Sequence, residues 1–440
     1  MTYFFETYGC QMNSAESAAL RMVLKERNWA EAPSGEEADL VLLNTCSVRA
    51  TAEQRVMGRL AQFSALKKKR HFTLVVAGCM AQRMGASLKE KVPAVDYVMG
   101  TSSRSFFPVI LDAVEKGSEA VPAEEQAAFS FSSSHLEEGQ FRSFVPIMHG
   151  CNNFCSYCIV PYVRGREISR SPDSIREEIR LLADRGVREI TLLGQNVNSY
   201  RWEEGGRAID FPDLLELVAR EVEQTPIRWV RFLSSHPKDL SSRAIQVMAA
   251  HPVLCRHIHL CVQHGSDRIL SAMNRRYTVA RYLELVDEIR SAMPGVSLST
   301  DILIGFPGET EADLELTLAL MERVKFQYSY MYHYNPREGT AAYDLPDRIA
   351  EDVKRQRLAR VIDLQRRQTK ELMRERLGQR AIVLLEDFSK KNADELVART
   401  ERDEMVVVPA PASLIGTFAE VTLASLRGNT FRAKEPTPCP

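Results

Sequence analysis

The sequence predicts an α/β protein in three parts. These are an N-terminal open parallel sheet, a central partial barrel of six βα units, and a small antiparallel β-barrel at the C-terminus. Two observations carry this expectation. Short apolar, β-rich runs alternate with longer helical patterns as far as about residue 376, as parallel sheets with crossover helices require. After Gly378 the helical patterns stop, and four short β segments follow within about sixty residues. A chain of 440 residues is long enough for several domains with their own cores.

The elements follow in order. Residues 3–7 are β-rich and 13–27 have helical periodicity. Residues 39–44 (DLVLLN) form a short apolar strand, followed by a polar helix over 50–69. Residues 72–77 (FTLVVA) and 96–99 give two further strands, and this first unit is expected to span 1–118. Residues 119–140 are acidic, Ser-rich and without sustained periodicity, and are expected to be a linker. The central unit, 141–376, is expected to hold strands at 144–148, 189–193, 229–233, 257–262, 297–303 and 326–332. It closes with a long helix over 350–376 that carries nine Lys/Arg against five Asp/Glu. On charge alone that run reads as a solvated helix face. The last unit, 377–440, carries β segments at 381–385, 396–400, 405–408 and 419–423.

Composition excludes several classes. Lys and Arg total 57 against 58 Asp and Glu, a net charge of −1, so no global basic field marks a nucleic-acid binder. Any RNA contact must come from local patches. The first thirty residues show no secretory pattern, and no apolar run nears the roughly eighteen residues of a membrane span. A soluble, cytoplasmic monomer with no membrane partner is expected. Nine cysteines in a reducing compartment read as metal ligands or core residues rather than disulfides.

Cys151, Cys155 and Cys158 are the most informative of these, at C-x3-C-x2-C spacing in a segment rich in Asn and aromatics. Zinc would normally close on four protein ligands in C-x2-C pairs. A cubane iron–sulfur cluster has four iron corners, so three local thiolates hold three irons and leave the fourth open. A disulfide or zinc knuckle is disfavoured because no fourth ligand lies nearby in sequence. Cys10, Cys46 and Cys79 form a second set. Each falls just past the carboxyl end of an expected strand, at gaps of 36 and 33 residues, about one βαβ repeat each. Loops at the carboxyl ends of a parallel sheet gather on one edge, so these three should converge in space. Three separately buried thiols would be the bland alternative, but three at equivalent places in successive repeats favour a second three-thiolate cluster. Cys255, Cys261 and Cys439 have no partner spacing, and the nine histidines show no ligand-like cluster.

The C-x3-C-x2-C loop resembles the signature of radical S-adenosylmethionine (SAM) enzymes. With the cysteine-bearing first unit and the β-rich last one, the chain resembles the radical-SAM methylthiotransferase family, whose last domain is the RNA-binding TRAM barrel. Three strings place it nearest the branch acting on N6-dimethylallyladenosine: Thr7-Tyr8-Gly9-Cys10-Gln11-Met12-Asn13, Arg164-Gly165-Arg166-Glu167-Ile168-Ser169-Arg170, and Leu193-Gly194-Gln195-Asn196-Val197-Asn198-Ser199-Tyr200. The resemblance implies two [4Fe–4S] clusters, on Cys151, Cys155 and Cys158 and on Cys10, Cys46 and Cys79. The first would split SAM to a 5′-deoxyadenosyl radical, and the second would carry sulfur methylated by a second SAM. Tyr157 would shield the cluster and pack against the SAM adenine. Gly194, Gln195 and Asn196 stand where the family contacts the SAM amino group, and Gly305 lies in a later glycine motif near the adenine. Ser235 and Gln263, at other strand ends, could reach the ribose or carboxylate. Arg164, Arg166 and Arg170 could hold a carboxylate or phosphate bidentately. The implied partners are a tRNA anticodon stem–loop, an electron donor and a sulfur source. The rival expectations are methylthiolation of threonylcarbamoyladenosine or of a ribosomal protein, and an RNA-binding iron–sulfur scaffold without turnover.

Overall fold

The computed structural model describes residues 1–47, 50–118, 129, 131, 139–434 and 436–439, so the expected linker at 119–140 lies largely outside the described residues. In the N-terminal sheet five parallel strands run in the order Ala30–Glu31, Thr2–Thr7, Leu40–Thr45, Thr73–Gly78 and Tyr97–Met99. The central strands are buried on both faces, which is why they read as unbroken apolar runs. Leu40 and Leu42 pack with Leu20, Leu24 and Phe107 on one side, and Val41 and Leu43 with Val56, Leu60 and Phe63 on the other. Strand order reverses between Thr2–Thr7 and Leu40–Thr45, which opens a crevice at their carboxyl ends. Cys10 and Cys46 flank that crevice, and Cys79 follows the next strand directly.

The central unit has the six expected strands in chain order. Arg142–Pro146, Glu189–Leu193 and Trp229–Phe232 form one parallel sheet, and His257–His259, Ser297–Ile304 and Tyr328–His333 another. Single bridges at Val230–Leu254 and Ser235–Leu260 join the two into an open half-barrel. The faces differ sharply. Val145, Ile190, Leu192, Val230, Ile258, Leu298 and Ile302 turn outward into the helix-covered core. The alternate residues face the lumen, and many are polar: Glu189, Arg231, His257, His259, Ser299, Asp301 and Tyr328.

The helix Glu351–Arg374 leads into the last unit. Strands Arg380–Ser389, Asn392–Thr400, Met405–Pro409, Thr430–Ala433 and Phe418–Arg427 pair in that order, and the first closes on the last to complete a barrel. The barrel is antiparallel as expected except at one place, where Val406 and Val407 pair in parallel with Phe431 and Arg432. A strand at 430–433, unread in the sequence, supplies that pairing and avoids an open edge. This barrel docks on the amino ends of the core strands. Trp229 and Cys255 pack on Leu384 and Phe418, while Arg231 donates to the carbonyls of Thr400 and Glu401 at 2.8 Å each. The N-terminal sheet sits at the opposite, carboxyl end, where Met12 and Ala15 cover Phe144, Leu193 and Leu233.

Candidate active site

The loop from Cys151 to Cys158 follows the first core strands and is held from two sides. Gly150 has φ +79°, and a Cβ there would lie 2.0 Å from the Arg166 carbonyl oxygen, so only glycine lets the two backbones meet. The Cys151 N–H donates to the Gly165 carbonyl at 3.1 Å, and the Asn152 N–H to Glu167 Oε1 at 3.0 Å. From the other side, the Ser156 N–H donates to the Met273 carbonyl at 3.0 Å, and Asn274 Nδ2 to the Phe154 carbonyl at 2.9 Å. Arg275, in this second support, is buried. One of its nitrogens donates to Cys155 Sγ at 3.3 Å and another to the Cys261 carbonyl at 2.6 Å.

Each cysteine set converges. Cys79 interacts electrostatically with Cys46 and Cys10, and Cys158 with Cys155 and Cys151. Burial pushes the Cys151 thiol up to about 11, and those of Cys79 and Cys158 up to about 12. Metal binding at either set must therefore release protons. Among the described residues, the only three ligand-type groups gathered within 4.8 Å of one another are His259, Cys261 and Asp301. One zinc ion about 2.3 Å from each thiolate would need sulfurs about 3.8 Å apart. Neither cysteine set has all three sulfurs within 4.8 Å of one another. Cys10 also caps the helix Gln11–Glu26.

The two sets meet across one contact. The helix Val160–Arg164 begins two residues after Cys158, and its Val163, with Ile159, packs on Cys79. Arg164 reaches Glu16, on the helix that Cys10 caps, with N···O distances of 2.7 and 3.3 Å. Both side chains are nearly inaccessible, at 3% and 4% exposure. Burial pushes the Glu16 carboxyl up, but Arg164 and Arg104 outweigh it and hold the pKa down to about 2. Thr101 Oγ1 adds a hydrogen bond to the Val163 carbonyl at 2.6 Å, and the ring of Phe129 stacks on His149 at 3.7 Å.

The remaining expected residues ring the first loop. A Cβ on Gly194 would lie 2.4 Å from Met148 Cγ. Beside it, Gln195 Oε1, Asn196 Oδ1 and Ser235 Oγ are buried oxygens without a hydrogen-bond partner, as are Asn198 Nδ2 and His236 Nε2 among the nitrogens. Buried polar atoms rarely stay unpaired, so this concentration at two adjoining strand ends fits a polar ligand such as SAM. Gln263 is buried with φ +70° and bridges to Ile302. Tyr157 packs with Phe306, Met273 and Leu303, linking the loop to the glycine turn. Gly305 (φ +74°) faces Lys354, where a Cβ would lie 2.4 Å from Cγ, and its N–H donates to Glu309 Oε2 at 2.6 Å. That amide is already used within the protein.

The expectation that three arginines hold an anion needs correcting. Arg164 is spent on Glu16, and Arg170 is buried against Glu178 and Ser174. Arg166 is exposed and lies over the Phe154 ring at 4.5 Å. The basic helix is likewise less free than its sequence suggests, since Arg357, Arg360 and Arg376 pair with Glu309, Glu311, Glu315 and Glu404. Sequence reading missed Arg275, whose only signal was a doubled arginine in Asn-Arg-Arg-Tyr. It also set Cys261 aside, although His259 and Cys261 alternate onto the same lumen face as Asp301. Burial disfavours the His259 imidazolium, but Cys261 and Asp301 hold its pKa well above the ordinary value.

Comparisons with known proteins identify the family. Residues 2–100 match the Uncharacterized protein family UPF0004, 145–321 the Radical SAM superfamily, and 374–434 the TRAM domain. The tRNA-2-methylthio-N(6)-dimethylallyladenosine synthase of Treponema denticola is 51% identical over 98% of this chain and 99% of its own. The proteins of that name from Geobacter sulfurreducens and Dictyoglomus thermophilum are 44% and 42% identical, over 96% and 98% of this chain and 94% and 98% of theirs. The solved structure of the radical SAM methyltransferase TsrM from Kitasatospora setae has a TM-score of 0.60 at 14% identity, over 78% of this chain and 77% of that one. The cobalamin-dependent SAM radical enzyme OxsB reaches 0.51 at 9%, over 82% and 56%. At such identities the likeness is one of fold. No helix among the described residues is long and apolar enough to cross a membrane. The chain belongs to the radical-SAM methylthiotransferase family, in the branch of the tRNA-2-methylthio-N6-dimethylallyladenosine synthases.

Proposed function

We propose that this chain inserts a methylthio group at C2 of N6-dimethylallyladenosine, at position 37 of tRNA, using SAM. The observation that carries the reading is the junction of the two cysteine sets, with Val163 on Cys79 and Arg164 on Glu16, in a chain half identical to synthases of that name. Cys151, Cys155 and Cys158 hold one [4Fe–4S] cluster, and Cys10, Cys46 and Cys79 a second. When bound, these groups supply the electron that opens SAM at the first set and the sulfur at the second, chemistry that no side chain provides. Arg275 donates an N–H to Cys155 Sγ and holds that ligand in place. Gln195, Asn196 and Ser235 offer their unpaired oxygens to SAM, with Gly194 allowing close approach, Tyr157 and Gly305 shaping the adenine side, and Gln263 the opposite rim. Arg164 and Glu16 hold the two sets at a fixed separation.

In this reading residues 1–118, 141–376 and 377–440 act as three domains, the last holding the anticodon stem–loop. Two SAM molecules are used per turnover, with an external electron donor and sulfur source, by a monomer in the cytoplasm. The lumen favours a neutral N6 substituent over a threonylcarbamoyl acid. Its arginines are tied to carboxylates, carbonyls or a thiol, and no described cation there is free to meet a carboxylate. The test is a competition among tRNAs bearing dimethylallyladenosine, adenosine and threonylcarbamoyladenosine, read by methylthio-nucleoside mass. Turnover should follow that order, with essentially none for the last, because a charged group left unpaired in such a site is heavily penalised. Comparable incorporation into the acid form would overturn the substrate assignment.

A further inference from the structure

The second half of the lumen carries an aromatic and acidic wall that none of the roles above uses. Asp301 pairs in register with Tyr330, and Ser299 with Tyr328, so all four side chains share the lumen face. Tyr328 is committed, donating to Asp403 at 2.7 Å and stacked on His257. Tyr330 is different: it stays 45% exposed on the last strand of the open half-barrel. Its ring packs T-shaped with His259 at 5.7 Å and with Tyr328 at 5.6 Å, so neither neighbour stacks flat on it. Asp301 keeps 30% of its side chain exposed, with one oxygen 3.6 Å from His259 Nε2. His259 is itself fixed by Ser299 Oγ at 2.9 Å from Nδ1. The wall is close to the chemistry. Cys261, two residues on from His259, gives its carbonyl to Arg275, whose other arm touches Cys155. The first half of the lumen is apolar at the same end, where Phe144 and Leu233 stay half-buried beside Leu193 under Met12 and Ala15.

We propose that Tyr330 and Asp301, with His259 behind them, form the recognition wall for the target purine. The base stacks on Tyr330 and donates its N6–H to Asp301, while its N6 hydrocarbon turns to the apolar half. This rests on the tRNA reading above and deepens it. Unstacked bases are recognised in this way, by aromatic platforms and edge hydrogen bonds. The Asp301 carboxylate also repels an N6 substituent that carries an acid, so one residue both accepts the right base and rejects the wrong one. The purine of SAM has the same chemistry, and the test separates the two.

Cluster-loaded protein is compared with Tyr330→Ala, Tyr330→Phe and Asp301→Asn, using anticodon stem–loops that carry dimethylallyladenosine or threonylcarbamoyladenosine. Dissociation constants for stem–loop and for SAM are measured alongside kcat and KM. Tyr330→Ala should raise the stem–loop Kd and KM about tenfold or more, the loss of one base–aromatic stack, and Tyr330→Phe should restore both. Asp301→Asn should raise KM for the dimethylallyl substrate and narrow its preference over the acid form by about tenfold. Stem–loop affinity unchanged in Tyr330→Ala would overturn the proposal, and so would a loss confined to SAM. If the unaltered protein fails to modify the dimethylallyl stem–loop, the functional reading falls instead, and the two dissociation constants still decide the role of the wall.

Discussion

Replacing Glu16 with Gln should loosen the N-terminal sheet from the core. Glu16 and Arg164 are 4% and 3% exposed, Glu16 is the carboxylate that pairs with the guanidinium, and His149 at 3.5 Å and the cation Arg104 lie beside it. Removing one member of such a pair leaves a buried charge unmatched, which destabilises by about 3–5 kcal/mol. At about 1.4 kcal/mol per factor of ten, that is roughly two to three and a half orders of magnitude in the opening equilibrium. Because the pair spans two units, the effect belongs to that interface rather than to global unfolding. Hydrogen exchange of the amides in the helix Gln11–Glu26 reports such local opening. The companion double change, Glu16→Leu with Arg164→Met, removes both charges and should recover most of the protection, since apolar isosteres often replace a buried pair at little cost. Less than a tenfold change in the single variant, or strict additivity in the double one, would refute the reasoning.

Three further outcomes follow from the same geometry. Arg275→Met removes a cation and an N–H donor from Cys155, and hydrogen bonds to cluster sulfurs set potentials. The reduced fraction at a fixed poise should fall about tenfold, or about 60 mV for one electron, in an electron paramagnetic resonance titration, and an unchanged midpoint would contradict it. Acid should weaken the interface in two stages. The His149 imidazole is held down to about 3 by burial and by Arg164, and Glu16 is held down to about 2 against an ordinary 4.5. The unfolded chain therefore binds protons that the folded one refuses, so the His149 contribution is complete above about pH 6.5 and the Glu16 contribution above about 4.5. Both are lost as pH falls toward the folded values, and exchange protection across about pH 7 to 3 should fall accordingly, with Glu16→Gln flattening only the part below about pH 4.5. Finally, Lys390 and Lys391 are exposed at a hairpin tip of the C-terminal barrel. Changing both to Glu should weaken tRNA binding and reduce its salt slope by about two, and identical salt plots would move RNA recognition elsewhere.

The fold was legible where local pattern is the physics. The parallel strands Leu40–Thr45 and Thr73–Gly78 are buried on both faces, so they appear as apolar runs, and the expected bounds differ by one residue. The convergence of Cys10, Cys46 and Cys79 followed from topology alone, because equivalent loops of a parallel sheet share an edge. What escaped was set by contacts between distant residues. Arg164 looks like a free cation beside a cysteine loop until folding brings Glu16 to it from 148 residues away. Arg275 touches Cys155 across 120 residues, with no local periodicity to announce it. The lumen wall is an intermediate case. The alternation in His257-Ile258-His259 and in Tyr328-Ser329-Tyr330 was visible as a period of two, but only the pairing of Asp301 with Tyr330 shows that the polar face turns inward. The parallel pairing of Val406 with Phe431 depended on a strand too short to stand out.

The iron content of anaerobically reconstituted protein tests the central claim most directly, that two separable cysteine sets each hold a cluster. The unaltered chain should hold about eight irons, four per cubane. Replacing Cys10, Cys46 and Cys79 with Ala should leave about four and abolish methylthio-nucleoside formation, while 5′-deoxyadenosine is still produced from SAM. Replacing Cys151, Cys155 and Cys158 should also leave about four and abolish SAM cleavage. Full iron in the first triple variant would contradict the account.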